Sequence, residues 1–107
     1  MTGAGDLRRL AMALADTSEA PHFDRAAFKS GRIYVTLASD GLTANFKFTP
    51  EEQQLKCLTH PAAFVAIANA WGRQGWTSAV LAQLSLPELE NALRIAHSHG
   101  AETKKRR

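Results

Sequence analysis

Apolar side chains recur at every second position from Arg25 to Phe48, and this period of two constrains the fold more than any other feature of the chain. Successive side chains of a β-strand point to opposite faces of a sheet, so the pattern predicts strands with one apolar and one polar face. Ser30-Gly31 and Asp40-Gly41 divide the segment, and Asp-Gly favours the positive φ angles of a type I′ hairpin turn. The sequence therefore predicts an antiparallel meander covered on one side. Its three strands are Arg25–Lys29, Ile33–Leu37 and Leu42–Phe48.

Other spacings predict helices before and after the meander in the sequence. An apolar stripe that starts at Leu7 and recurs at i+3, i+4 and i+7 indicates a helix over Asp6–Ala15. The segment Asp16–Pro21 is predicted to be a loop, because Pro21 cannot continue that helix.

Two capping boxes mark helix starts in the second half of the chain. Thr49 and Glu52 frame a proline at the first helical position, and the helix is predicted to end near His60, with Leu55 and Leu58 on its buried side. Ser85 and Glu88 form the second box and open the last helix. Gly100 is predicted to be the C-cap of that helix.

The segment between these two helices, which begins at Pro61, could form either a helix or a strand. Its alanines favour a helix after Pro61, whereas Phe64, Val65 and Ile67 favour a strand. We interpret Phe64–Ala70 as a strand that pairs with Thr77–Leu81 through the glycine-containing loop Trp71–Trp76. The predicted order is α-β-β-β-α-β-β-α, a two-layer α+β fold with a five-stranded antiparallel sheet and helices on one face.

Length and composition indicate a single domain that does not cross a membrane and whose cysteine is a free thiol. The 107 residues suit a single domain, and the one cysteine excludes a disulfide framework. The longest apolar run, Ala62–Ala68, is too short to cross a membrane, and no export signal precedes the first helix. We expect a cytoplasmic protein.

The net charge of +3 lies entirely in the last seven residues, since the first hundred hold nine basic and nine acidic side chains. We therefore predict a single domain over residues 1–100 and a basic, disordered tail over residues 101–107.

Few residues suggest catalysis. Cys57 and His60 could share a helix face as a nucleophile and base or as half a metal site, but a buried thiol beside a helix-terminal histidine explains them better, because no further ligands are near. His97 and His99 point to different sides of a helix, and His22 has no evident partner. The sequence predicts no enzyme, no cofactor and no metal site.

Residues that could bind a polyanion are more numerous, and they lie on the polar face of the meander and at the tips of the two predicted hairpins. They are Arg25, Lys29, Arg32, Tyr34, Thr36, Thr43, Asn45, Lys47 and Arg73. Trp71 and Trp76 could stack on bases or wedge into a groove. The alternative is a solvated sheet face with tryptophans that pack across strands.

Several motifs together resemble the MmcQ/YjbR-like family of small bacterial proteins. They are Pro21-His22-Phe23, Ala27-Phe28, Gly31-Arg32-Ile33, Phe46-Lys47-Phe48-Thr49-Pro50-Glu51-Glu52-Gln53 and Trp71-Gly72-Arg73-Gln74-Gly75-Trp76-Thr77. The resemblance runs from about Leu7 to Gly100 and departs from the family at Asp16-Thr17-Ser18, where a Leu-Pro-Gly turn is frequent. It implies a secretion-chaperone-like domain with Phe64–Ala70 as a strand, without a cofactor or catalytic residue. It also implies DNA binding through β-hairpins that project as a double wing.

The leading hypothesis is a non-enzymatic module that binds DNA weakly and in a salt-sensitive way. Lys29, Arg32, Lys47 and Arg73 would hold phosphates, with Trp71 or Trp76 near the contact. A rival hypothesis is a protein-interaction or chaperone-like module, which could form a homodimer through the open sheet face. A third is a small-molecule binder or enzyme with a pocket near His22 and Trp76.

Overall fold

Six strands form one antiparallel sheet in the computed structural model, which describes residues 2–105, with side chains from 2 to 100. The helices are α1 (Ala4–Met12), α2 (Pro50–Thr59), α3 (Ala70–Arg73) and α4 (Leu86–Lys105). The strands are β1 (Ser18–His22), β2 (Arg25–Ser30), β3 (Arg32–Leu37), β4 (Thr43–Lys47), β5 (Phe64–Ala66) and β6 (Trp76–Val80), and a 3₁₀ turn covers Leu81–Gln83. The order across the sheet is β1-β2-β3-β4-β6-β5. The α+β class is confirmed, but the count of five strands is wrong.

The additional strand is β1, which occupies most of the predicted loop Asp16–Pro21. It pairs with β2 from Ser18↔Lys29 to His22↔Arg25, and almost all of its residues are exposed. A strand that is solvated on both faces has no apolar alternation to reveal it. Pro21 is accommodated because β1 is an edge strand, where a missing N–H leaves no inner hydrogen bond unmade.

A bulge in β3 changes which side chains face the helices. Phe28 pairs with Val35 and Lys29 pairs with Ile33, so Tyr34 is an extra residue on its strand. Tyr34 is fully buried, its hydroxyl lies 2.7 Å from Thr17 Oγ1, and its ring packs edge-on against His97. The expectation that Tyr34 belongs to the polar face is therefore wrong. The bulge brings Ile33 to the open face instead.

The core lies between α1, α4 and one face of the sheet. α4 packs against β2, β3 and β4, and α1 packs against α4. The strands contribute alternating residues such as Phe28, Leu37 and Phe46, and α4 contributes Leu89 and Leu93, all buried. This leaves the opposite face of the sheet uncovered by α1 and α4.

Both predicted capping boxes are confirmed. Thr49 Oγ1 accepts from the Glu52 N–H at 3.1 Å, and the Glu52 carboxylate accepts from the Thr49 N–H at 2.8 Å. Ser85 and Glu88 exchange the same two bonds. The predicted buried side of α2 is wrong, because Leu55 and Leu58 are 60% and 76% exposed.

Three local predictions are also corrected. The strand expected over Phe64–Ala70 is limited to Phe64–Ala66, and the expected hairpin loop contains α3, whose first turn is capped by Asn69. At the Asp40-Gly41 turn only Gly41 has positive φ, so the turn is not of type I′.

Helix α4 does not end at Gly100. Its backbone continues to Lys105, so the predicted C-cap is wrong. The side chains of residues 101–107 and the backbone of the last two residues lie outside the described part of the chain, and the basic tail stays a prediction. Within residues 2–105, no helix combines the length and apolarity that crossing a membrane requires.

Candidate functional site

A groove of about 680 Å³ crosses the open face of the sheet. Its floor is formed by polar side chains of β3 and β4, among them Thr36 and Asn45. One wall comes from the β1–β2 turn with His22 and Phe23, and the other comes from α3 and β6 with Trp71 and Trp76. The strand order places β2 and β6 three spacings apart, which corresponds to about 14 Å in a flat sheet. The groove thus spans much of the uncovered face.

Three cationic side chains line this groove. The Arg25 Nε donates to Thr36 Oγ1 at 2.9 Å, and its Nη2 donates to the Thr36 carbonyl at 3.3 Å. The Lys47 Nζ donates to the Gln74 carbonyl at 2.7 Å and to the Phe48 carbonyl at 3.3 Å. Arg32 lines the groove, and its guanidinium makes no hydrogen bond or ion pair with the part of the chain that the structure describes. Arg25 and Lys47 are thus held in place by neutral groups.

The carboxylates of Asp6, Glu19 and Glu90 form ion pairs with arginines that do not line the groove. Arg8, Arg9 and Arg94 take part in ion pairs, whereas none of the three groove cations lies within 4.0 Å of a described carboxylate. Burial lowers the pKa of Lys47 below its usual range, and the neighbouring Arg32 charge lowers it further, with a smaller opposing effect from Glu52. Among the residues that line the groove, Asp24 is acidic and three are cationic, so the groove carries a net positive charge although the first hundred residues carry none.

Both tryptophans of the chain lie in the groove wall. Their rings meet edge to face with centroids 6.5 Å apart, and Trp71 is 58% exposed. The segment that carries them is fixed to α2, because the Gln53 Nε2 donates to the carbonyls of Gly72 and Trp76, each at 2.9 Å. This wall offers a held aromatic surface to a ligand.

Two glycines allow the close approach on which this wall depends. A Cβ at Gly75 would lie 1.9 Å from the Phe48 carbonyl oxygen, and Gly75 has a φ of 110°. A Cβ at Gly72 would lie 1.5 Å from the Ile67 carbonyl oxygen. No other residue fits either position without a shift of the backbone.

The facing wall carries an aromatic residue that the sequence did not single out as a site. Phe23 is 93% exposed and has a φ of 59°, and its ring packs edge-on against His22. Residues before it were assigned to a loop, so the tight turn between β1 and β2 was not recognised. The sequence signal that could have indicated this turn is Phe23 beside Asp24, an apolar residue in a short link between two extended segments.

The structure brings together four of the residues predicted to bind nucleic acid. Arg32, Lys47, Trp71 and Trp76 all line the groove. Lys29 and Arg73 do not line it, although both side chains are exposed. His22, which was considered for a pocket near Trp76, does line it.

The hairpin turns are closely associated with the helices. A Cβ at Gly41 would lie 3.2 Å from the Ala4 Cβ, and a Cβ at Gly100 in α4 would lie 3.0 Å from the Arg32 carbonyl. The Asp40-Gly41 turn thus lies against the start of α1, and the strand that follows Gly31 lies against α4.

Cys57 and His60 do not face each other as a pair. His60 Nδ1 lies 2.9 Å from Thr59 Oγ1 and its Nε2 lies 2.9 Å from a Glu88 oxygen. Burial raises the pKa of the Cys57 thiol, which disfavours the reactive thiolate. Among the described residues, no group of three His, Cys, Asp or Glu side chains could hold a metal ion.

The sequence matches the YjbR family model over residues 12–99. This chain belongs to the YjbR family. The fold of this YjbR protein is similar to the crystal structure of Deinococcus radiodurans protein DR2400, whose family-model domain is DUF419, with a TM-score of 0.77 and 23% sequence identity. That similarity covers 90% of this chain and 76% of that chain. No curated protein matches the sequence.

Proposed function

We propose that this YjbR protein is a non-enzymatic module that binds DNA in the groove across its sheet. The observation that carries the proposal is the presence of three cations without carboxylate partners in the same groove as both tryptophans. Lysine and arginine hold phosphates, and aromatic rings stack on bases. Arg32 and Lys47 repel each other, so a phosphate between them would relieve that repulsion.

In this proposal the groove replaces the hairpin tips as the contact surface. Arg73, which was expected at such a tip, and Lys29, which was expected on the polar sheet face, do not line the groove. The groove holds few cations, so we expect binding that is weak and sensitive to salt.

A matched pair of arginines tests the proposal. Arg32→Gln removes a groove cation, whereas Arg73→Gln removes an exposed cation outside the groove. We expect Arg32→Gln to weaken binding of a labelled DNA about tenfold, because a charge-assisted contact contributes roughly 1.5–3 kcal/mol. Arg73→Gln should leave the affinity unchanged. Titrations by fluorescence anisotropy at low and moderate salt would measure both variants.

The basic tail provides a second control, because it could bind DNA by itself. A full-length variant with Lys104, Lys105, Arg106 and Arg107 all changed to Gln removes that contribution. If this variant loses all binding while Arg32→Gln loses none, tail electrostatics explains the affinity and the groove proposal is wrong.

The alternative function is a protein-interaction or chaperone-like module. It is favoured by large apolar side chains that remain exposed, with Leu58 76% and Val65 62% accessible. Sedimentation equilibrium of the full chain separates the two proposals. A stable dimer that forms without DNA and prevents DNA from entering the groove would favour this alternative.

A further inference from the structure

We propose that Phe23 is a base-stacking residue, and that the groove takes an unpaired nucleobase together with its phosphate. This inference rests on the proposed function and names its ligand more closely. Phe23 belongs neither to the core nor to the cationic set, and the β1–β2 turn explains its backbone but not the choice of a phenylalanine there. Its ring is exposed to solvent at the rim of the groove.

The residue type at this turn supports a functional origin. A φ of 59° lies in the left-handed region, which a bulky side chain rarely adopts and which glycine adopts easily. Strained residues of this kind cluster at ligand-binding positions, where the strain is retained for the placement of a side chain. With 93% of Phe23 accessible, burial of the ring does not compensate for this strain.

The two walls of the groove offer separate aromatic surfaces. Phe23 and His22 stand at the β1–β2 turn, and Trp71 and Trp76 stand at the β6 side. The floor between them includes Asn45, whose amide makes no hydrogen bond with described residues and can reach the edge of a base. Arg32 and Lys47 lie in the same groove for the phosphate. Ring, amide and cation are the three kinds of group that single-stranded nucleic acid requires.

Because these rings are exposed and available for stacking, we expect the groove to bind an unpaired base and not a base within a duplex. In a duplex the faces of the bases are stacked on their neighbours, so an aromatic side chain cannot lie against them without unstacking the helix. The cavity volume of about 680 Å³ falls within the roughly 300–1,000 Å³ of small-ligand sites. A base with its phosphate can come from a single strand or from a free nucleotide, and the two sources share this chemistry.

The test uses the intrinsic fluorescence of the full chain, because both of its tryptophans line the groove. The probes are a short oligothymidine, a duplex of the same length and thymidine monophosphate. Phe23→Gly should weaken oligothymidine binding about tenfold, since the variant loses stacking on one base. Phe23→Trp should restore most of the affinity. Leu58→Ala, which removes an exposed apolar side chain of α2, is the matched control and should bind as the unaltered protein does.

A melting measurement separates stacking from a loss of structure. Phe23→Gly relieves the left-handed strain and should raise the melting temperature while it weakens binding. A purely structural residue would change both quantities in the same direction.

The outcomes distinguish the two levels of the proposal. If the unaltered chain binds none of the probes, both this inference and the proposed function fail. If it binds oligothymidine and Phe23→Gly binds equally well, the function survives and the stacking role is wrong. Tighter binding of the duplex than of oligothymidine would contradict the inference that the groove takes an unpaired base. Equal affinity for the monophosphate, with the same loss in Phe23→Gly, would support the inference and identify a free nucleotide as the source.

Discussion

Lys47 shows how single residues determine the electrostatics of the groove. Burial lowers the pKa of its amine, and the charge of Arg32 lowers it further. Because the unfolded chain binds this proton more tightly than the folded chain, the free energy of unfolding rises with pH between the lowered pKa and the usual value of about 10.4.

Arg32→Gln removes the repulsive charge, so we expect it to raise the pKa of Lys47 toward its usual value without reaching it. It should also reduce the alkaline rise in stability. An NMR titration of the Lys47 side chain would measure the shift, with Arg73→Gln as the control. An equal shift in both variants would mean that Arg32 does not act directly on Lys47.

The sequence identifies Arg32, Lys47, Trp71 and Trp76 because their type and their place beside turns or on a polar strand face are local properties. The structure was needed to show that Arg73 does not line the groove, since that depends on the helical turn α3. Phe23 was not predicted as a site residue, because an isolated apolar residue has no periodicity and its left-handed backbone results from the pairing of β1 with β2.

At the scale of elements, the α3 turn is the part of the groove most sensitive to a small change. Gly72→Ala places a Cβ within 1.5 Å of the Ile67 carbonyl oxygen, so the backbone must move. We expect a loss of about 3 kcal/mol or more in the free energy of unfolding. Urea unfolding would measure the loss.

Gly5→Ala is the matched control for that substitution. A Cβ at Gly5 in α1 would meet nothing within 4 Å, so the change should increase stability by about 0.5 kcal/mol through helix propensity. Equal effects of the two substitutions would contradict the close approach at Gly72.

The starts of α2 and α4 were predictable from the sequence because a capping box lies within four residues, whereas α1 begins at Ala4 and not at the predicted Asp6. The bulge at Tyr34 was not predictable from the sequence. The register between β2 and β3 depends on the packing of Tyr34 against α1 and α4, which are distant in the sequence. The strand β1 was missed for a related reason: it takes its structure from β2 and not from its own pattern.

At the scale of the whole molecule, the charge of the groove differs from the net charge of the domain. The first hundred residues are neutral, yet the groove holds Arg25, Arg32 and Lys47 without carboxylate partners. If all three contact phosphates of a single strand, the logarithm of affinity should fall with the logarithm of salt with a slope of about −2.

The variant with a neutral tail isolates this slope. Arg32→Gln in the same background should make it shallower by about 0.7, as expected for the loss of one contact. A salt-independent affinity would mean that stacking and hydrogen bonds, and not cations, hold the ligand.

The two outer strands of the sheet also determine how the molecule behaves at high concentration. An edge strand presents unpaired N–H and C=O groups on which a second chain can add as a further strand. Pro21 removes one donor from β1, and β5 offers only the three residues Phe64–Ala66. Each edge is thus a poor template for strand addition. The fold can leave one face of its sheet uncovered for a ligand while its borders resist edge-to-edge aggregation.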